Sequence, residues 1–146
     1  MDNLLKKQFE SLIQCNHEMI TILSNTSAFI KQNYQDISWA GFYLFKDNEL
    51  ILGPFQGKVA CTNIPLNKGV CGTSAYLRET IIVENVHLFK GHIACDSESN
   101  SEIVVPIIKN NELLGVLDLD STSIRRFNDT DKIIFEELVS ILVKYL

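Results

Sequence analysis

The sequence predicts an α+β domain, an antiparallel sheet flanked by N- and C-terminal helices, on three observations. Apolar residues recur every three or four positions at both ends of the chain. Between the ends the period drops towards two, and the two longest alternating stretches each turn back at a short polar segment. A single domain over residues 1–146 accounts for all of this, because no Ser/Pro/Gly-rich linker, internal repeat or block of like charge divides the chain.

From the N-terminus, Leu5, Phe9, Leu12, Ile13, Met19, Ile20, Leu23 and Ile30 mark 3–33 as one amphipathic helix, or two broken near Ser24-Asn25-Thr26. Segments 39–45 and 49–52 read as a hairpin around Lys46-Asp47-Asn48. One or two turns of helix fit 72–78, and a short strand fits 80–84. Segments 102–108 and 112–120 form a second hairpin turning at Lys109-Asn110-Asn111. Ile134, Phe135, Leu138, Ile141 and Leu142 then mark 133–146 as a closing helix, which Asn128, Asp129 or Thr130 is available to cap.

Composition narrows the function classes. With 46% apolar and 21% charged residues, 7 Gly and 3 Pro, the chain has enough apolar material for a core. Its net charge of −5 and the absence of a basic stripe argue against a nucleic-acid partner. The apolar runs 103–108 and 113–117 are too short to cross a bilayer. Met1-Asp2-Asn3-Leu4-Leu5-Lys6-Lys7 lacks a secretory pattern, so a cytoplasmic location is expected. A reducing compartment would not keep static bridges closed, so the 4 cysteines point to redox or metal chemistry.

Cys15, inside the predicted N-terminal helix, reads as a partly buried core residue. Cys61, Cys71 and Cys95 instead fall where the chain is expected to turn, beside Gly57, Gly69, Gly72 and Gly91. Their spacings of 10 and 24 residues match neither a C-x-x-C pair nor the paired short spacings of a structural zinc site. A zinc site built from the three with His92 or His87 remains an alternative on ligand count, but two cysteines forming a disulfide during turnover fit better. Cys71 precedes Gly72-Thr73-Ser74 at an expected helix N-terminus, which would favour its thiolate. Asp96, Glu98 and Glu102 near Cys95 should raise its pKa, an effect that His92 or a bound cation would offset. An acidic pocket around a thiol suits a substrate that carries its own positive charge.

Gly115-Val116-Leu117-Asp118-Leu119-Asp120-Ser121, followed by Phe127 and Asp131, resembles the closing signature of GAF domains. Four further motifs are more specific: Trp39-Ala40-Gly41-Phe42-Tyr43; Leu52-Gly53-Pro54-Phe55-Gln56-Gly57-Lys58 with Ala60-Cys61; Gly69-Val70-Cys71-Gly72-Thr73; and Gly91-His92-Ile93-Ala94-Cys95-Asp96 with Ser99-Asn100-Ser101-Glu102-Ile103-Val104. Together they resemble the free methionine-(R)-sulfoxide reductases, GAF-fold enzymes acting on the free amino acid. The resemblance implies a single GAF-like domain and a thiol-dependent oxidoreductase needing no metal or organic cofactor. It implies that Cys95 attacks the sulfoxide sulfur and becomes a sulfenic acid, that Cys61 condenses with it to a disulfide, and that Cys71 assists or exchanges. A thioredoxin-like reductant would reopen the bridge. Trp39 and Tyr43 would line the pocket, and Glu102, Asp118 and Asp120 would hold the substrate. The chain departs from the family pattern at Asn67, where Gly is usual, but Asn tolerates a left-handed backbone.

The residues themselves agree with such a site. Val116, Asp118 and Asp120 share one face of a strand while Leu117 and Leu119 share the other, so the carboxylate face is a pocket wall or solvated. Two like charges there call for a cation or a shared proton. Free methionine sulfoxide brings an ammonium, and release of its oxygen needs a proton donor. Glu102, at the start of an apolar strand, is the expected general acid, with Asp118 and Asp120 binding the ammonium, although the three are able to exchange these roles. Trp39 is either core or the pocket wall that receives the methyl. His87 and His92 read as loop histidines. A homodimer through the end helices is expected. The competing reading is a non-catalytic GAF module that senses a small ligand or redox state through its cysteines.

Overall fold

The computed structural model describes residues 1–15, 18–93, 95 and 97–146. Helix α1 (Asn3–Ile13) is capped by Asp2, whose carboxylate accepts from the Leu5 N–H at 2.8 Å. Helix α2 (Met19–Asn33) follows, so the helical segment is interrupted between Ile13 and Met19 and not near Ser24-Asn25-Thr26. The reason is local: Ser24 and Thr26 donate their hydroxyls to the carbonyls of Ile20 and Ile22, at 2.6 and 2.8 Å, and so remain inside the helix. Cys15 lies beyond the end of α1 and is exposed, which corrects its placement in a helical core.

Strands β1 (Trp39–Lys46) and β2 (Glu49–Gln56) form the first hairpin. Its two-residue turn has Asp47 and Asn48 at φ 50° and 65°, the left-handed pair that matches the twist of the strands. Strand β3 (Asn63–Pro65) adds to the free edge of β2 and had no period to announce it. Helix α3 (Gly69–Leu77) starts earlier than 72, after Asn67, which adopts φ 59° as its side chain allows. Strand β4 (Ile81–Val83) leads through a 3-10 turn at Val86–Leu88, also not anticipated, to the hairpin of β5 (Ser101–Lys109) and β6 (Glu112–Ser121). Helix α4 (Asp129–Leu142) begins at a reciprocal cap in which Asn128 accepts from Asp131 N–H and Asp131 accepts from Asn128 N–H.

The six strands lie in the order β3-β2-β1-β6-β5-β4, every neighbouring pair antiparallel. Alternation sends Ala40, Phe42, Ile103, Val105, Leu117 and Leu119 to one face, where they pack with Phe9, Leu23, Ile30, Phe135 and Leu138 from α1, α2 and α4. The opposite face carries Trp39, Tyr43, Val104 and Val116, covered by Val70, Cys71 and Ala75 of α3. Both faces are therefore buried, and the second one holds the cleft described next. Among the described residues no helix is long and apolar enough to cross a membrane.

Candidate active site

The cleft lies between the second sheet face, the start of α3 and the two segments that carry Cys61 and Cys95. Trp39, Tyr43, Cys71, His92, Cys95, Ser99, Glu102, Asp118 and Asp120 line it, together with Val59, Ala60, Ile64, Val70 and Ile93. Strand geometry explains the grouping. Tyr43 sits opposite Val116 and Trp39 opposite Asp120 in the β1/β6 ladder, while Glu102 sits opposite Asp120 and Val104 opposite Asp118 in the β5/β6 ladder. Alternating residues of three adjacent strands thus converge on one face. Gly41 leaves the room for Trp39: a Cβ there would lie 2.6 Å from its ring and 2.3 Å from Phe55 Cβ. Trp39 stacks on both Phe55 and Tyr43, with ring centroids 5.2 and 6.0 Å apart.

Cys61 and Cys95 are joined in a disulfide, their Cα atoms 5.2 Å apart across 34 residues of sequence. The segment bearing Cys61 is held by the aromatic wall: Trp39 donates its indole N–H to the Lys58 carbonyl at 3.0 Å, and Tyr43 donates its hydroxyl to the Cys61 carbonyl at 2.9 Å. An exposed ion pair between Lys58 and Glu98 links this segment to the one bearing Cys95. Glu98, which follows Cys95 closely in sequence, is thus paired with a lysine at the surface. Asp96 and Ala94 lie outside the described residues. Ile93 packs on Gly69, which has φ +61° and whose added Cβ would lie 3.2 Å from Ile93 Cγ1, so the Cys95 segment closes directly over the start of α3.

Cys71 corrects two expectations. It belongs to the first turn of α3 and not to a loop, and its thiol keeps its proton. Burial pushes its pKa well above the ordinary thiol value, and the carboxylates of Asp118, Glu102 and Asp120 push it further, which outweighs the helix N-terminus. Its Sγ–H points to Glu102 Oε1 at 3.8 Å. Glu102 is itself pushed well up by burial and by the charges of Asp118 and Asp120. Burial raises Asp118 to about 6, against hydrogen bonds with Glu102 and Cys71 that lower it. Glu102 and Asp118 thus act as a pair that holds a proton ordinary carboxyls would have lost. Tyr43 is also pushed upward, by burial first and Asp118 next, and stays a neutral phenol. Asp120, at the end of β6, is only half-buried.

His92 lines the cleft with Nε2 3.9 Å from Glu102 Oε2; burial, then His87, lowers its pKa, so it faces the carboxyl as a neutral ring. The sequence reads it as a loop histidine, and the structure places it in the cleft wall. His87 lies at the surface, its Nε2 2.9 Å from Asn100 Oδ1. For a cation, the structure groups Cys71, Glu102 and Asp118, whose ligand atoms all lie within 4.8 Å of one another among the described residues. The alternative set of three cysteines and a histidine is not offered by this state, because two of its thiols are spent in the disulfide. Ser99 is a polar cleft residue to which the sequence assigned no role: it stands in an irregular polar run where no period reveals burial, yet it is buried. Its signals were its place at the head of the motif 99–104 and the abrupt change from Ser99-Asn100-Ser101 to an apolar strand.

The GAF domain family matches residues 17–144. The free methionine-R-sulfoxide reductase of Escherichia coli is 48% identical over 142 residues, covering 97% of this chain and 86% of that protein. The reduced fRMsr structure from Staphylococcus aureus superposes with a TM-score of 0.95 at 57% identity, covering 98% of this chain and 93% of that one. The free methionine-R-sulfoxide reductase from Neisseria meningitidis, solved in complex with its substrate, gives a TM-score of 0.93 at 38% identity, covering 99% and 91%.

Proposed function

The chain belongs to the GAF domain family and, within it, to the free methionine-R-sulfoxide reductases, and on that premise we propose how its residues reduce free methionine (R)-sulfoxide to methionine. The observation that carries the reading is the Cys61–Cys95 bridge beside a cleft whose buried wall bears Glu102 and Asp118. The ammonium of the substrate pairs with Asp118 and Asp120, which relieves the repulsion between them. Its methyl-bearing sulfur rests against Trp39 and Tyr43. The Cys95 thiolate attacks that sulfur while Glu102 protonates the sulfoxide oxygen. The hydroxyl then passes from the substrate sulfur to Cys95 Sγ as the transient S–S bond between them breaks, so that methionine leaves reduced by two electrons and Cys95 is left as a sulfenic acid. The Cys61 thiol displaces that hydroxyl as water and closes the disulfide.

A dithiol reductant of the thioredoxin type reopens the bridge by exchange, and Cys71 assists or exchanges with the pair. Residues 1–146 act as one unit, and two chains pair through the end helices, where Leu4, Ile20 and Ile133 are exposed. The test is to incubate the protein with dithiothreitol and the separate R and S sulfoxides of free methionine. Methionine from the R form alone is expected. Release from neither form, with tight binding of a small ligand, would favour the non-catalytic sensor.

A further inference from the structure

A cleft built for a polar ligand holds polar atoms that have nothing to bond until the ligand arrives. Two such atoms occur here. Asp118 Oδ1 and Ser99 Oγ find no hydrogen-bond partner among the described residues, although the two residues are only 6% and 4% exposed. Both residues line the same cleft. Leaving such an atom unpaired costs free energy that a polar ligand entering the cleft would recover. The ammonium assigned above answers for Asp118, but nothing yet answers for Ser99.

The distribution of charge identifies what Ser99 meets. Glu102, Asp118 and Asp120 come from β5 and β6 and make the sheet side of the cleft rich in acceptors. Ser99 comes from the segment before β5 that also supplies His92 and Cys95, and it is a neutral donor. A free amino acid has two oxygen-bearing groups. The sulfoxide oxygen takes the Glu102 proton, while the α-carboxylate is repelled by the sheet side and needs a donor elsewhere. Resting on the reductase reading above, we propose that Ser99 is a further substrate-binding residue, donating its hydroxyl to the α-carboxylate of the free amino acid.

The test compares two substrates in the R configuration, methionine sulfoxide and its decarboxylated counterpart 3-(methylsulfinyl)propylamine. Ser99→Ala and Ser99→Gly both remove the hydroxyl. With methionine sulfoxide, kcat/KM should fall about ten- to a hundredfold, mainly through KM, as expected for a lost hydrogen bond to a charged group. With the amine it should not change, and Ser99→Thr should restore part of the loss. An equal loss on both substrates, or none on either, overturns the proposal. So does loss of the folded state in both variants, which would make the hydroxyl structural. Failure of the wild-type protein on methionine sulfoxide would instead remove the reductase reading itself.

Discussion

At the scale of the residue, the chemistry rests on protons held where water would not leave them. Glu102 keeps its proton because burial and two neighbouring carboxylates oppose its ionisation. Glu102→Gln preserves shape and a hydrogen bond but cannot donate a proton to the departing oxygen. It should lower kcat about a hundredfold with KM little changed, as expected for loss of a positioned acid; an unchanged kcat in steady-state assays removes it from the mechanism. In the proposed role Asp118, raised to about 6 by burial, would bind the ammonium in its ionised form. A pH series of kcat/KM should therefore rise through about pH 6, and a flat profile from pH 5 to 8 would contradict that role. The carboxylate face was legible because Asp118 and Asp120 alternate with Leu117 and Leu119. The state of Cys71 was not. Its place before two small residues suggested a helix N-terminus, but the carboxylates that outweigh it come from strands more than thirty residues away.

At the scale of the element, turn chemistry was the most readable feature. Asp47-Asn48 and Asn110-Asn111 announce two-residue hairpins, and all four residues adopt positive φ. Strand β3 escaped because three residues carry no period, and its pairing with β2 is made by the rest of the fold. The interruption between α1 and α2 was misplaced because Ser24, Asn25 and Thr26 resemble a cap, whereas two of their hydroxyls bond back along the helix. Helix α3 depends on a close approach that only glycine allows. A Cβ on Gly72 would stand 2.3 Å from the Pro65 carbonyl oxygen, so Gly72→Ala must shift the turn that holds Cys71. Denaturant unfolding should show a loss of about 1–3 kcal/mol, the usual range for overpacking a tight site. A variant as stable as the wild type would mean that the first turn of α3 yields freely.

At the scale of the whole molecule, one sheet separates two tasks. The face under α1, α2 and α4 carries a large apolar core, while the face under α3 mixes apolar packing with three carboxylates and a thiol. The second face weakens the fold without its ligand. A carboxyl whose pKa rises on folding contributes stability that is full below the ordinary carboxylate range and is lost as pH climbs through the folded value, about 6 for Asp118. At neutral pH Asp118→Asn should therefore raise the stability of the substrate-free protein by about 1–3 kcal/mol while it weakens substrate binding. Thermal unfolding at pH 7 and pH 4 checks both the gain and its disappearance in acid; a less stable variant at pH 7 would contradict it. This division was half-visible in the strand alternation. The closure of the second face by α3 and the cysteine segments could not be read, because it depends on irregular chain.

In the proposed reaction Cys95 takes the oxygen and Cys61 only resolves the product. This assignment is tested most directly by single-turnover release of methionine from Cys61→Ser protein, reduced beforehand and given methionine (R)-sulfoxide without any recycling thiol. About one methionine per chain, with a sulfenic acid on Cys95 in the mass spectrum, is the predicted result. Release from Cys95→Ser protein, or none from Cys61→Ser protein, would contradict it.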